Sequence, residues 1–327
     1  MLNNRVTTIL GIDTPILMAP MGRWAEPSLA VAVSQAGGLG SFGAWPHMGL
    51  DAGEVRRHVA RIRQGTDRPF GAGFVNHLLP DHRANFDAAL EERVPVIMLS
   101  FGDPSPWIPL VRQAGSKAVC QVQSFELAAK AVDAGADILC VQGNEAGGHT
   151  GSENLLPFLI QVLEAFPGTP VVASGGITSG RALAAVLAAG AEGAWIGTAL
   201  VAAEEAAFTS PELRRAIVAS NGRDTVRSSA IDIVLNALAS RPPWPNGVAL
   251  RHGPNEITER WHGKDEQLAQ DSNAIAGYVE RLTKGTGGLF PLLYGEGAGS
   301  IREIKTAKVT IDSLVGDAVA LLARFGR

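Results

Sequence analysis

The feature that most restricts the fold is a regular alternation of short apolar runs with segments of helical character. Runs of four or five residues, bounded by glycine, proline or polar residues, are typical of buried strands. Eight such runs occur, and the segments between them are long enough to form helices. The runs are Ile16–Ala19, Leu39–Phe42, Phe70–Phe74, Val96–Ser100, Ala118–Val122, Ile138–Val141, Val171–Ser174 and Ala194–Gly197.

The helical segments end at recognisable stop signals. A glycine directly after a helical run favours the left-handed conformation that terminates a helix, and proline cannot continue one. Strands joined by such helices predict a parallel sheet with right-handed crossovers, and eight strands are the number that closes a (β/α)8 TIM barrel. The predicted helices are Ser28–Ala36, Glu54–Gln64, Phe125–Ala134, Leu155–Ala165 and Arg181–Ala189.

An open doubly wound sheet is the alternative fold. The segment Gly38–Gly43 fits the pattern G-x-G-x-x-G of dinucleotide-binding folds. That motif should follow a strand and open a helix, whereas here it coincides with the predicted strand Leu39–Phe42 and runs into Trp45. No acidic residue sits at the ribose-binding distance after a strand. We therefore reject the dinucleotide-binding fold and interpret the segment as a glycine-rich barrel strand.

The pattern changes after the eighth run. Amphipathic helices are predicted at Pro211–Ser220 and Lys264–Thr283, and a last one at about Thr306–Arg324. The simplest interpretation is a helical subdomain inserted between the last strand and the last barrel helix. We expect the barrel to comprise residues 1–205 and 300–327, and the insertion to comprise residues 206–299. An insertion at the carboxyl rim of a barrel is placed to cover an active site.

Charge and composition exclude several classes of function. A net charge of −4 leaves no basic surface for nucleic acid or an anionic membrane. The longest apolar run, Ala182–Ala191, is too short to span a bilayer, and Met1–Val6 lacks the apolar region of a signal peptide. Cys120 and Cys140 lie in predicted strands and are expected to be core residues. We therefore expect a cytoplasmic protein that has no metal site.

Two glycine-containing loops predict a phosphate site. The seventh run ends in Ser174, Gly175 and Gly176 ahead of a predicted helix, where bare backbone N–H groups bind anions. The eighth run ends in Gly197 and Thr198, which add further N–H groups and a hydroxyl. In barrels of this kind a phosphate is often held by the loops after strands 7 and 8. Two such loops at consecutive strand ends therefore favour a phosphorylated ligand.

The ends of other strands indicate what that ligand carries. Ala19, Pro20 and Met21 form an apolar ledge after the first run, although core filling is the simpler role for such residues. Asn76 follows the third run and Gln121 lies in the fifth, so both place amide groups at the rim. A phosphate anchor, an apolar ledge and several amides suit a phosphorylated planar heterocycle such as flavin mononucleotide, FMN.

The loop Gln142–Gly151, after the sixth run, carries the candidate for proton transfer. Its glycines leave the backbone free to approach a ligand, and His149 is the side chain best suited to acid–base chemistry near neutral pH. The same histidine could equally be an ordinary polar loop residue. Ala146, Gly147 and Gly148, which precede it in the loop, are predicted to contact the cofactor.

Several of these segments, taken in order, resemble the nitronate monooxygenases, formerly called 2-nitropropane dioxygenases. The resemblance covers the barrel up to about residue 205 and is looser afterwards. It rests on the segments Met18–Met21, Gln35–Gly40, Arg68–Gly71, Gln142–His149, Ala173–Ile177 and Gly197–Thr198.

The resemblance implies an FMN-containing TIM barrel with an added helical domain. It implies that the FMN phosphate lies on the backbone of the two glycine-containing loops and that the ring lies near the apolar ledge. It also implies polar contacts to the ring from Asn76, Gln121 and Gly148, and a role for His149 as catalytic base or orienting group. Gln121 departs from relatives that carry lysine there, so the charge near the flavin is left open.

The implied reaction is oxidation of alkyl nitronates, and of nitroalkanes, by FMN and O2 to a carbonyl compound and nitrite. The same framework resembles the FMN-dependent reductases that pass hydride from NAD(P)H to enoyl thioesters or quinones, and the glycine-histidine loop does not separate the two. A flavin-free phosphate-binding lyase or isomerase, and a flavin-binding interaction module, are the remaining alternatives. A small-molecule substrate, O2 and a second copy of the chain in a homodimer are the expected partners.

Overall fold

The computed structural model describes residues 2–45 and 50–325. Eight parallel strands form one sheet, and they confirm the eight strands predicted from the apolar runs, with ends that differ by a residue or so. The strands are β1 (Ile16–Met18), β2 (Gly40–Gly43), β3 (Phe70–Val75), β4 (Val96–Ser100), β5 (Lys117–Val122), β6 (Ile138–Gln142), β8 (Val171–Ser174) and β9 (Ala194–Ile196).

The sheet closes into a TIM barrel. Its order is β1-β9-β8-β6-β5-β4-β3-β2, and a parallel bridge between Leu17 and Leu39 joins the two edges. At this seam the N–H of Leu39 donates to Ile16 O at 2.8 Å, and the N–H of Met18 donates to Leu39 O at 2.9 Å. The predicted barrel is therefore confirmed, and the doubly wound alternative is wrong.

Helices cover the outside of the barrel and form most of the segment between β9 and the last helix. Short 3-10 helices lie at Gly22–Trp24, Asn76–Leu78 and Glu296–Ser300. The α-helices are α1 (Arg5–Leu10), α2 (Pro27–Gln35), α3 (Ala52–Gly65), α4 (Arg83–Glu91), α5 (Ile108–Gln113), α6 (Phe125–Asp133), α7 (Leu155–Ala165), α8 (Gly180–Ala188), α9 (Thr198–Val201), α10 (Pro211–Ala219), α11 (Ala230–Ala239), α12 (Glu256–Trp261), α13 (Asp265–Gln270), α14 (Ser272–Thr283) and α15 (Ala307–Leu322).

Alternate residues of the strands separate into two buried clusters, as the two-residue period of a strand requires. Val119 and Val172 belong to a cluster that also contains Val6 and Leu10 of α1. This cluster is the barrel interior, and α1 closes it at one end. Residues of the other parity pack against the surrounding helices. Two residues after Val119 and Val172 lie Gln121 and Ser174, so the strand period directs both side chains inward at the carboxyl end.

The segment between β9 and α15 has a hydrophobic cluster of its own. It contains α10 to α14 and two short strands, β10 (Val226–Ser228) and β11 (Ala249–His252). These strands form an antiparallel sheet in the order β10-β11-β7, in which β7 (Gly148–Thr150) belongs to the loop after β6. The separate cluster consists of Ala230, Ile231, Val234, Leu250, Ile257, Trp261, Leu268, Tyr278 and Leu289.

The structure differs from the expected helical insertion in two details. The segment predicted as a helical subdomain also contains β10 and β11. The single helix predicted at Lys264–Thr283 is two helices, because the chain leaves helical geometry at Asp271, whose side chain accepts from the N–H of Ala274 and caps the second helix. Within the described part of the chain, no helix is both long enough and apolar enough to cross a membrane.

Candidate active site

A cavity of about 460 Å³ lies at the carboxyl end of the barrel strands, a volume in the range of small-molecule sites. All but one of the residues predicted for the site line it. They are Ala19, Pro20, Met21, Gln121, Ala146, Gly147, Gly148, His149, Ser174, Gly175, Gly176, Gly197 and Thr198. The loops after β1, β6, β8 and β9 thus converge on one space, while the roles of these residues in cofactor binding stay predictions.

Asn76 is the predicted residue that does not line the cavity. It is buried in the 3-10 helix after β3, and its Nδ2 donates to Gly102 O at 3.1 Å. Its Oδ1 is buried and has no hydrogen-bond partner among the described residues. A flavin contact for Asn76 therefore stays a prediction.

His149 is held in position by its backbone. It lies in β7, where it pairs with Leu250 of β11, and Gln142 Nε2 donates to His149 O at 3.0 Å. Its ring contacts a carboxylate, with His149 Nε2 2.8 Å from Asp232 Oδ1. Because an ionised carboxylate only accepts, this contact places a proton on Nε2 and leaves the Nδ1 lone pair of a neutral ring available. The arrangement is that of a general base oriented by a carboxylate.

Asp232 was missed by the analysis of the sequence. It lies in the first turn of α11, where the helix dipole favours a negative charge, and the residue is only 4% exposed. Its second oxygen, Oδ2, is buried without a hydrogen-bond partner in the described chain. The available signal was a lone acidic residue in the otherwise apolar run Ala230–Val234, since a buried carboxylate needs a specific partner.

Trp244 covers one face of the His149 ring. The two rings are stacked, with centroids 3.6 Å apart and planes inclined by 20°. Edge contacts from Phe101, at 5.1 Å, and His77, at 4.9 Å, hold the indole from other sides. Burial lowers the pKa of His77, and the charges of His149 and Arg241 lower it further. Trp244 was not among the residues predicted from the sequence for the site.

The glycine-containing loop after β8 has a backbone that favours glycine. Gly175 and Gly176 have φ values of +117° and +67°, in the left-handed region that other residues rarely adopt. A Cβ at Gly175 would lie 3.2 Å from Gly143 O, so a side chain would also be crowded there. The loop leads into α8, whose first turn is capped by Ser179. Such a loop ahead of a helix suits an anionic oxygen.

The segment 295–299 ties this loop to its neighbours. Thr178 Oγ1 donates to Gly297 O at 2.5 Å, and the N–H of Gly295 donates to Thr198 Oγ1 at 3.0 Å. A Cβ at Gly147 would lie 2.5 Å from the backbone nitrogen of Gly295, so the two backbones can lie this close only because residue 147 is a glycine. The loops after β6, β8 and β9 are therefore fixed to one another.

The remaining walls fit a flat aromatic group. A Cβ at Gly197 would lie 3.4 Å from Met21 Sδ and 3.8 Å from Ala19 Cβ, so the apolar ledge adjoins the loop after β9. A Cβ at Gly148 would meet nothing within 4 Å, which leaves open space beside His149. An anion-binding loop, an apolar ledge and this open space together fit a flavin phosphate and ring.

A chain of amides forms the floor. Gln123 Nε2 donates to Gln142 Oε1 at 3.1 Å and to Gln121 Oε1 at 3.3 Å, so three buried glutamines are linked to the backbone of His149.

Burial raises the pKa of the Cys120 and Cys140 thiols, as expected for core residues. Among the described residues, no group of three or more histidine, cysteine or carboxylate side chains is placed to hold a metal ion.

Comparison with known proteins gives consistent matches. The family model described as nitronate monooxygenase matches residues 3–85 and 75–241. A nitronate monooxygenase from Paraburkholderia phytofirmans is 32% identical over 269 residues, which are 68% of this chain and 72% of that protein.

Two solved structures extend these matches over the whole chain. FabK from Thermotoga maritima superposes with a TM-score of 0.85 at 30% identity, covering 99% of both chains. A nitroalkane oxidase from Streptomyces ansochromogenes superposes with a TM-score of 0.77 at 27% identity, covering 98% of this chain and 100% of the other.

Proposed function

This chain belongs to the nitronate monooxygenase family, and we propose from this premise that it oxidises alkyl nitronates and nitroalkanes with O2 to a carbonyl compound and nitrite. Membership of the family, with the likeness to a nitroalkane oxidase, makes the chain an FMN-dependent oxidoreductase on a TIM barrel. The choice of nitronates as substrates is the part that we propose.

The observation that carries the proposal is the contact of Asp232 with His149, which lines the cavity. A nitroalkane must lose the proton from the carbon that bears the nitro group before it can be oxidised. His149 Nδ1 accepts that proton, and the Asp232 carboxylate stabilises the positive charge that the ring then carries. A substrate that enters as the nitronate has already lost this proton and does not need the base.

We assign the cofactor to the part of the cavity that lies opposite His149. Gly175, Gly176, Gly197 and Thr198 would hold the phosphate of FMN, and the ledge formed by Ala19, Pro20 and Met21 would face its ring. When bound, FMN supplies the electron transfer and the reaction with O2 that a protein side chain does not provide.

Aromatic groups keep water away from the base. Trp244 covers one face of His149, and the edge of Phe101 contacts Trp244. Exclusion of water strengthens the attraction between the protonated ring and Asp232, because the local dielectric constant is lower than in bulk water. This favours proton removal in the cavity over the same step in solution.

Product analysis under air tests the proposal. The purified FMN-loaded protein is mixed with an alkyl nitronate in the absence of NADH and NADPH, and O2 consumption, nitrite and the carbonyl product are measured. We expect nitrite and the carbonyl compound to form in equal amounts while O2 is consumed. Formation of neither product, with FMN bound, would contradict the proposal.

A second candidate is an FMN-dependent reductase that passes hydride from NAD(P)H to an enoyl thioester or quinone. The entrance of the cavity favours it, since Leu238 and Phe290 line the cavity and are 36% and 48% exposed. Exposed apolar side chains at an entrance suit a long acyl chain. Rapid oxidation of NADPH that depends on an added enoyl thioester, without nitrite formation from nitronates, would establish this candidate instead.

We further propose that residues 206–299 act as a lid on the barrel. The separate cluster, whose residues run from Ala230 to Leu289, supports that part of the segment as the moving unit, whereas Leu213 and Ile217 pack in the barrel's outer cluster. Hydrogen exchange in this segment should slow when a substrate analogue binds, while exchange in the barrel strands should stay unchanged. Equal slowing throughout both parts would contradict a lid.

The proposed homodimer and cytoplasmic location rest on general grounds. Two-fold homodimers are the commonest symmetric assemblies of proteins. Sedimentation of the FMN-loaded protein should give the mass of two chains, and a single-chain mass at micromolar concentration would contradict the dimer. Cell fractionation tests the location.

A further inference from the structure

Arg241 lines the cavity, and its guanidinium has no partner within the described residues. Arg241 follows α11, and its backbone N–H donates to Asn236 O at 3.0 Å. Its side chain is partly buried, and its Nε is buried with no hydrogen-bond partner. No acceptor for any of its guanidinium N–H groups is found among residues 2–45 and 50–325.

Other partly buried arginines of this protein are arranged differently. Arg227 donates to Thr150 Oγ1 at 2.9 Å and to Thr150 O at 3.1 Å. Arg251 donates to Asn144 O at 2.7 Å and pairs with Glu296 at 3.0 Å. Each of them therefore offsets its loss of hydration with protein acceptors, which Arg241 does not.

An arginine that has lost water without gaining acceptors is unfavourable. Burial lowers the pKa of Arg241. The negative charge of Asp232 raises that pKa, although the two described side chains do not form an ion pair. Burial of an unpaired charged group is unfavourable, unless a ligand or another group supplies acceptors. An anionic ligand in the cavity would supply them.

The position of Arg241 separates it from the proposed phosphate site. Arg241 lies three residues before Trp244, whose ring contacts His77 after β3 at 4.9 Å and stacks on His149. In the barrel, β3 is separated from β8 by β4, β5 and β6 on one side and by β2, β1 and β9 on the other. Arg241 therefore lies on the substrate side, across the barrel from Gly175 and Gly176.

The chemistry of the proposed substrate matches a guanidinium. A nitronate is a planar anion whose negative charge is shared by two oxygens on one nitrogen, much like a carboxylate. Planar two-oxygen anions are bound by arginine through two parallel N–H···O bonds. A neutral His149 bonded to Asp232 through Nε2 presents a lone pair at Nδ1 and cannot donate to such an anion.

We infer that Arg241 binds the two oxygens of the substrate's nitronate group, which leaves His149 free for proton transfer. This inference rests on the proposed function. It divides the site into an anion-binding residue, Arg241, and a base, His149. It also makes Arg241 the residue that favours nitronates over neutral nitroalkanes.

The test compares FMN-loaded wild type with Arg241→Gln, Arg241→Lys and Arg215→Gln. Arg215 is an exposed arginine that pairs with Glu212, so its variant removes the same charge far from the cavity. Steady-state kinetics are measured with one alkyl nitronate and with the corresponding neutral nitroalkane. Binding of nitrate, an unreactive planar anion, is measured from its effect on the flavin absorption spectrum.

We expect Arg241→Gln to raise both the KM for the nitronate and the Kd for nitrate about 10- to 100-fold, the size of lost charge-assisted hydrogen bonds. The KM for the neutral nitroalkane should change by less than about 3-fold, since it carries no full charge. Arg241→Lys should lie between wild type and Arg241→Gln, and Arg215→Gln should match wild type.

Three results would overturn the inference. One is a wild type that binds no nitrate, and another is Arg241→Gln that binds nitrate with the wild-type Kd. The third is an equal rise in KM for the nitronate and the neutral nitroalkane in Arg241→Gln. Failure of the proposed function gives a different result. In that case wild type does not oxidise the nitronate at all, and nitrate binding alone still decides whether Arg241 is an anion site.

Discussion

His149 Nε2 lies 2.8 Å from Asp232 Oδ1, and this contact joins two segments that are 83 residues apart in the chain. His149 belongs to the loop after β6, whereas Asp232 belongs to α11 in the segment between β9 and α15. The base and the carboxylate that orients it therefore come from different parts of the fold. The pairing of β7 with β11 joins the loop that carries His149 to the segment that carries Asp232.

Asp232→Asn tests the orientation of the base. The amide has nearly the same shape, but its NH2 group can donate to Nε2 and move the ring proton to Nδ1, where the base needs its lone pair. We expect kcat/KM for a nitroalkane to fall about 10²- to 10⁴-fold, the range for lost acid–base catalysis, and the value for a nitronate to fall far less. Asp312→Asn, at an exposed residue paired with Lys308, is the control. Equal losses for both substrates would contradict the orienting role.

His149→Ala removes the base itself. We expect a loss of roughly 2–4 kcal/mol in transition-state stabilisation for a nitroalkane, the usual size for a removed acid–base group. FMN content, measured from the absorption spectrum, should stay unchanged, since the proposed phosphate site lies on other loops. A variant that keeps wild-type activity on nitroalkanes would show that His149 is a structural residue.

We expect the aromatic ring of Trp244 to contribute to kcat. Trp244→Ala removes the stacking partner of His149 and admits water, and we expect kcat for a nitroalkane to fall about 10-fold, in line with the energies of aromatic pairs. Trp244→Phe keeps an aromatic face and should stay within about 3-fold of wild type. Trp107→Phe, which alters a tryptophan packed on Phe86, is the control. Equal activity of the Ala and Phe variants would argue against a role for the ring.

Gly175→Ala tests the proposed phosphate loop. The residue has φ of +117°, and an added Cβ would lie 3.2 Å from Gly143 O, so the loop must shift. Backbone strain of this kind is worth about 1–3 kcal/mol, so we expect the Kd for FMN to rise roughly 10-fold or more. Gly168→Ala is the matched control, because a Cβ there meets nothing within 4 Å. Unchanged FMN affinity in Gly175→Ala would place the phosphate elsewhere.

Stability should fall in mild acid. Burial lowers the pKa of His58, His77 and His252 below their ordinary value of 6.5. As the pH falls through 6.5, the unfolded chain takes up these protons before the folded chain does, so unfolding becomes more favourable. Urea denaturation across this range should show the decline, and His252→Gln should make it shallower while the exposed His262→Gln should not. A decline that His252→Gln leaves unchanged would show that His252 does not contribute.

The sequence predicted the parts of this molecule that depend on local patterns. Each barrel strand is a short apolar run ended by glycine or polar residues, and β4 matches its predicted bounds, Val96–Ser100. The glycines at 175 and 176 also carry their own signal, because positive φ values favour glycine wherever they occur. Such features need no knowledge of which segments meet in space.

The residues that the sequence did not predict depend on contacts between distant segments. Arg241 and Trp244 line the cavity, and Asp232 contacts His149, from a segment that β11 joins to β7. No local pattern states which strand accepts that pairing. The break at Asp271 was missed for another reason, since helical periodicity continues on both sides of it and a capping aspartate differs little from a surface one. The barrel could therefore be predicted in detail, whereas the residues that approach His149 from the segment between β9 and α15 could not.

The most direct measurement of the central claim is an anaerobic titration of the FMN-loaded protein. An alkyl nitronate is added without O2, and the flavin absorption is recorded against a parallel titration with NADPH. We predict that the nitronate bleaches or shifts the flavin spectrum and that NADPH does so slowly or not at all. A spectrum that the nitronate leaves unchanged and NADPH bleaches rapidly would contradict nitronate oxidation and establish the reductase.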